Sequence, residues 1–163
     1  MNLPAPAIND RPVCPFCDQR CFETTSGPAP EGVPGPIDGA GNIVYLVELD
    51  SLSPISGRFR RKILEQNPNA ASGAPVIYVG LTALTPAERL HNHFSGYKGS
   101  RLVRLHGRRL VEIREGVVLG RRMSVAGLRR LVELTTRSLE SDEAWEQEAA
   151  AILRQEGFTA YSR

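Results

Sequence analysis

Residues Pro75–Phe94, PVIYVGLTALTPAERLHNHF, decide how this chain is read. Val76-Ile77-Tyr78-Val79 is a short, largely β-branched apolar run of the kind a buried strand uses, and Gly80 punctuates it. Leu81–Leu84 lead into a strong helix start: Thr85 can cap, Pro86 suits the first helical position with its fixed φ, and Glu88 can reach back to complete a capping box. In the helix that follows, Leu90 and Phe94 lie four apart on one face, while Arg89 and His93 lie four apart on another. A guanidinium and an imidazole on one helical face, opposite a strand tyrosine, are parts from which a phosphate-handling site can be built.

Charge along the chain points the same way. The 163 residues carry a net charge of only +2, but residues 58–137 hold 16 Lys and Arg against 5 Asp and Glu, while both flanking segments are acidic. Almost all the cations are arginine, whose planar fork suits phosphate oxygens. A cationic span of this kind implies a polyanionic partner. With 41% hydrophobic and 23% charged residues, the composition is that of a globular protein with one real core plus an appendage. No apolar run approaches a membrane span and no signal-peptide pattern opens the chain, so a cytoplasmic protein without membrane association is expected.

Working outward, Asn42–Leu49, NIVYLVEL, reads as a strand carrying Tyr45. An antiparallel pairing with 76–79 is expected, across a long connection that contains the basic knot Arg58, Arg60, Arg61 and Lys62 and a short helix ending near Gln66. Beyond Phe94, a loop at 95–100 precedes a short helix at 101–106 whose polar side is cationic, including Arg101 and Arg104. Short strands are expected at 110–113 and 117–119. Ser124 caps a helix bearing Val125, Leu128, Leu131, Val132 and Leu134, although LVELTT at its end has strand character as well. Ser141-Asp142 start a last helix with Trp145, Ala149, Ile152 and Leu153 as its apolar stripe.

Residues 1–41 stand apart as an appendage: a cysteine cluster, Cys14-Pro15-Phe16-Cys17-Asp18-Gln19-Arg20-Cys21, then a Gly/Pro-rich linker. The cluster has three readings. It is part of a zinc site that needs a fourth ligand from His91, His93, His106, an acid or another chain; a dithiol redox pair; or an appendage without chemistry of its own.

Tyr45 in NIVYLVEL, Tyr78-Val79-Gly80, Thr82, Arg89, His93 and a late helical glutamate preceded four residues earlier by Ala144 together resemble the GIY-YIG nuclease family, over residues 42 to about 160. The first element keeps the family's tyrosine and lacks its glycine, and Ala160-Tyr161-Ser162 stands where members often carry an asparagine, a role left unfilled or taken by Ser162. The resemblance implies an α+β domain over 42–163, with a small three-stranded antiparallel β-sheet flanked by α-helices. It also implies a Mg²⁺ (or Mn²⁺) ion on the late glutamate, and metal-dependent hydrolysis of DNA phosphodiester bonds. Two glutamates compete for the metal; Glu148 is preferred over Glu146 because it follows Ala144 at the family's spacing. Tyr45, Tyr78, Arg89, His93 and Glu148 are then the catalytic set. Arg89 contacts the phosphate, and Tyr45 or Tyr78, assisted by His93, handles the proton of the attacking water. An unperturbed tyrosine ionises near a pKa of about 10, so the one acting as base needs a nearby cation, for which Arg89 is the candidate.

Arg58, Arg60, Arg61, Lys98, Arg101 and Arg104 form the expected DNA-binding surface for double-stranded or branched DNA, with specificity low, directed by DNA structure, or supplied by a homodimer or a partner protein. Taken singly, each site residue has an ordinary structural reading: half-buried tyrosines pack, and helical Arg, His and Glu are solvated. The competing functions are a nucleic-acid-binding module of the same fold without catalysis and a zinc-dependent interaction factor built on Cys14, Cys17 and Cys21.

Overall fold

Alternation along two paired strands sets the layers of the structure. In the computed structural model, which describes residues 41–163, β1 (Ile43–Ser51) runs antiparallel to β2 (Pro75–Thr82), with Tyr45 opposite Gly80 and Val47 opposite Tyr78. Even-numbered Val44 and Leu46 join odd-numbered Ile77 and Val79 on one face, and Tyr45, Val47 and Leu49 join Val76 and Tyr78 on the other. Both faces are buried, which explains why the runs read as near-continuously apolar.

The first face packs against α4 (Val125–Leu134) and α5 (Glu143–Gln155) through Leu131, Leu134, Ala149, Ala150 and Leu153. The second packs against α1 (Gly57–Gln66), α2 (Pro86–Ser95) and α3 (Arg101–His106) through Ile63, Leu90, Phe94, Leu102 and Val103. Burying a side chain such as these stabilises by about 1.5–3 kcal/mol, so both layers contribute to holding the sheet.

The sheet is larger and more mixed than three antiparallel strands. β3 (Gly107–Leu110) pairs antiparallel with β1, and β6 (Thr159–Ser162) adds a fourth strand parallel to β2, giving the order β3-β1-β2-β6. A two-stranded ribbon, β4 (Val117–Val118) with β5 (Arg121–Arg122), stands apart from it. Among the described residues the architecture is therefore mixed α/β, with five helices and a four-stranded mixed sheet. The expected strand at 110–113 lies three residues earlier, although Val111 still donates its N–H to the Leu46 carbonyl. Gly80 does not end its strand but lies within β2. LVELTT is helical as far as Leu134.

Side chains close the β6 edge. Asn67 Nδ2 donates to the Ala160 carbonyl at 2.8 Å and Asn67 Oδ1 accepts the Ala160 N–H at 3.0 Å. Two residues on, Gln66 does the same for Ser162, donating at 2.8 Å and accepting at 3.2 Å. Two side-chain amides thus stand in for a neighbouring strand and satisfy groups an open edge would expose. Ser162 is held through its backbone by this clasp. Among the described residues no helix is long and apolar enough to cross a membrane. The cysteine cluster lies outside the described residues.

Candidate functional site

The capping box expected at the start of α2 is formed. Thr85 Oγ1 accepts the Glu88 N–H at 3.2 Å, and Glu88 Oε2 accepts the Thr85 N–H at 2.8 Å. This fixes where α2 begins and hence which side chains face the sheet. His93 is fully buried against the two strand tyrosines, with ring centroids 5.9 Å from both Tyr45 and Tyr78. The tyrosine rings are 6.3 Å apart, and Tyr161, opposite Tyr78 on β6, lies 6.4 Å from it.

Backbone geometry sets the tautomer of His93. Its Nδ1 accepts the Ser100 N–H at 2.7 Å, so the ring proton resides on Nε2, which donates to Tyr45 Oη at 2.6 Å. Burial and the neighbouring guanidinium of Arg89 hold the His93 pKa down at about 3, so the ring is neutral. The hydroxyl of Tyr45 is consequently an acceptor from His93 and keeps its own proton for another partner. Two glycines permit this approach. A Cβ on Gly80 would stand 2.5 Å from Tyr45 Oη, and one on Gly99 would stand 2.7 Å from His93 Cα.

Arg89 Nη1 donates to the Lys98 carbonyl at 3.0 Å, while its Nε is buried without a hydrogen-bond partner among the described residues. An unsatisfied buried donor costs about 1–3 kcal/mol, and the same guanidinium lies within hydrogen-bonding reach of Tyr45. Arg89 lowers the Tyr45 pKa, as expected of a cation, but burial outweighs it, and Tyr45 is held above the ordinary tyrosine value. Tyr78 is also raised by burial, and there Arg163, Arg89 and the Tyr45 hydroxyl all oppose the rise. The expectation of a tyrosine pulled below its ordinary pKa is thus not met: both phenols are neutral, and Tyr78 has the more supporting groups for ionisation.

The two glutamates fall on different sides of α5. Glu148 faces α4, where Arg130 forks onto it through Nε at 2.7 Å and Nη2 at 2.9 Å. Arg130 also bonds Glu133 and stacks over Trp145, and its charge keeps the Glu148 carboxyl below the usual range. Glu146 instead continues the stripe of Ala149, Ala150 and Leu153 into the first turn of the helix. There burial raises its pKa, while Arg163 and the backbone amide of Leu81, at the ends of β6 and β2, favour its ionised form. Its charge is felt by Tyr45, Tyr78 and Tyr161. The structure therefore brings Tyr45, Tyr78, Arg89, His93 and Glu146 together and engages Glu148 elsewhere.

Of the cations expected to bind DNA, Arg58 and Arg101 line a groove of about 520 Å³ together with Lys62, Arg163 and Tyr161. Arg61 and Lys98 are exposed outside that lining. Arg60 is turned inward, donating to the carbonyls of Leu52 and Ser53, which removes it from that surface. Arg104 sits half-buried in the last turn of α3. A larger hollow of about 600 Å³ lies beneath Arg108 and Arg109 and includes none of the tyrosines. Those two arginines pair with Asp50 and Glu48.

Sequence reasoning missed Arg163, and it placed Lys62 in the basic knot without counting it among the DNA-binding cations. Arg163 follows a four-residue strand too short to announce itself. Lys62 was readable from its spacing four residues after Arg58, which puts both on one face of α1. No group of three or more His, Cys, Asp or Glu side chains able to hold a metal occurs among the described residues. Comparisons of the chain with protein-family models, with curated proteins and with solved structures find no match.

Proposed function

We propose that this chain is a metal-dependent DNA endonuclease of the GIY-YIG type, hydrolysing phosphodiester bonds at the cluster of Tyr45, Tyr78, Arg89, His93 and Glu146. The observation that carries the reading is the convergence, from β1, β2, α2 and α5, of two neutral phenols, a guanidinium with a buried unused donor and one half-buried carboxylate. Phosphodiester hydrolysis needs charge compensation at the phosphate, a proton acceptor for water and a stabilised leaving group.

In this reading the Arg89 guanidinium contacts a phosphate oxygen. The phenolate of Tyr78, formed when its own proton is lost to solvent and favoured by Arg163, Arg89 and the hydroxyl of Tyr45, takes the water proton. Tyr45 is a donor whose oxygen is held by His93, and Ser100 fixes the orientation of His93. Mg²⁺ is compatible with the donor set. That ion binds through one or two carboxylates plus substrate phosphates and water, and Glu146 is a single carboxylate at the edge of the cluster, whereas a closed three- or four-ligand cage has no counterpart among the described residues. When bound, the ion would supply charge compensation at the phosphate and leaving oxygen. The ligand is assigned to Glu146 in place of Glu148, because Arg130 occupies both Glu148 oxygens.

The test is incubation of supercoiled plasmid and of branched DNA with Mg²⁺ or Mn²⁺, comparing the wild type with Tyr78→Phe. Nicking or cleavage by the wild type, reduced at least about a hundredfold in the variant, is expected. A wild type inactive on every DNA form while still binding DNA would favour the non-catalytic binding module.

A further inference from the structure

The groove beside the cluster has a composition that phosphate binding alone does not require. Arg58 and Lys62 of α1 and Arg101 of α3 line it with Arg163, which follows β6. None of these four forms an ion pair among the described residues, whereas Arg108, Arg109, Arg114 and Arg130 each do. Four unpaired cations lining one groove make a surface suited to an external anion. Between them lie Leu102, Ser100 and two aromatic side chains, the half-buried Phe59 and the largely buried Tyr161. Phosphates gain nothing from aromatic rings, but unstacked bases do.

The groove also leads to the proposed reacting centre. Its wall includes Ser100, whose N–H orients His93, and its lining includes Tyr161, next to Tyr78. Arg163 is shared, acting on Tyr78, His93 and Glu146. Size restricts the occupant. About 520 Å³ is the volume of a small-ligand site. A double helix, whose major groove alone is about 12 Å wide, cannot enter such a site, whereas one sugar–phosphate strand with its bases turned out can.

We infer that this groove receives an unpaired DNA strand and feeds it to the cluster, so that the preferred substrates are those carrying a single-stranded segment next to the cleavage point. The inference rests on the nuclease reading for what happens to the strand, but strand binding stands independently of cleavage.

The test is fluorescence anisotropy of the full chain in EDTA, with three probes: an oligothymidine of about 15 nucleotides, within the usual site size for such grooves, a blunt duplex, and that duplex with a single-stranded flap. The oligothymidine and the flapped duplex are expected to bind more tightly than the blunt duplex. Arg58→Ala/Lys62→Ala and Arg101→Ala are expected to lose about tenfold on the first two probes, with the salt slope falling by about 0.7 per cation removed. Arg129→Ala, an exposed cation on α4, should bind as the wild type does.

Equal affinity for blunt and flapped duplex, or groove variants that bind oligothymidine like the wild type, overturns the inference. Repeating the series with Mg²⁺ separates the two readings. Groove-dependent strand binding without cleavage leaves the groove and removes the nuclease; cleavage that persists in the groove variants does the reverse.

Discussion

Replacing Gly80 with alanine should disturb the cluster from its middle. A Cβ there would lie 2.5, 2.6 and 2.7 Å from Oη, Cζ and Cε1 of Tyr45, against an ordinary contact distance of at least 3.4 Å. The obstacle is a buried aromatic ring opposite Gly80 in the β1–β2 register, so it cannot swing aside. Relieving the nearest contact requires a shift of about 0.9 Å, enough to break the 2.6 Å bond to His93. Overpacking of this kind costs about 1–3 kcal/mol, offset by the 0.4–1 kcal/mol that Gly→Ala gains in the unfolded chain. The net expectation is a destabilisation of about 1–2 kcal/mol, read as a drop in Tm of about 4–8 °C by circular dichroism. Nicking should fall by at least about tenfold, because a 1 Å misplacement of reacting groups can cost about a hundredfold. In a Tyr45→Val background the ring is gone, and Gly80→Ala should then cost nothing or stabilise. An unchanged Tm in the wild-type background, or the same loss in both backgrounds, refutes the reasoning.

The remaining expectations concern pH and the sheet edge. His93 has a folded pKa of about 3 against an ordinary 6.5, so its contribution to stability is complete above pH 6.5 and is lost as pH falls from 6.5 towards 3. The slope in that window is about 1.4 kcal/mol per pH unit, and His93→Gln should flatten the acid limb of a urea-denaturation pH series by about one proton; an unchanged limb contradicts the buried neutral ring. Because Tyr78 is raised above its ordinary value, cleavage should climb about tenfold per pH unit between roughly pH 7 and 9, and a plateau below pH 8 would exclude a phenol as the base. Asn67→Leu leaves the Ala160 N–H unpaired and its carbonyl with Arg154 Nη1 alone, at a cost of about 1–3 kcal/mol in denaturant unfolding, together with a concentration-dependent tendency to associate through the exposed edge of β6; a midpoint like that of the wild type would show that the clasp contributes nothing.

What could be read from the sequence was local. The capping residues Thr85, Pro86 and Glu88 set α2, and apolar β-branched runs set β1 and β2, because the information for each lies within a few residues. β6 was not legible: four residues after a helix carry no periodicity, and the pairing with β2 joins positions more than eighty apart in the chain. Gly80 illustrates a second limit. Its punctuation suggested a strand end, whereas its reason is the ring of Tyr45 across the sheet, a relation no local window contains. Arg60 looked like one more cation in a basic knot, but its place on α1 turns it onto the Leu52 and Ser53 carbonyls. The two glutamates were separable in principle. Glu146 is three, four and seven residues before Ala149, Ala150 and Leu153 and so shares their face, whereas spacing from Ala144 gave weight to Glu148.

That pair supplies the most direct test. Glu146→Gln and Glu148→Gln change one atom each in the same helix, two residues apart. Cleavage of the best DNA substrate with Mg²⁺ should fall about a hundredfold or more for Glu146→Gln, with DNA binding and fold retained. Glu148→Gln, which loosens an exposed ion pair with Arg130, should cleave like the wild type and lose at most about 1 kcal/mol of stability. Cleavage retained by Glu146→Gln and abolished by Glu148→Gln would contradict the assignment.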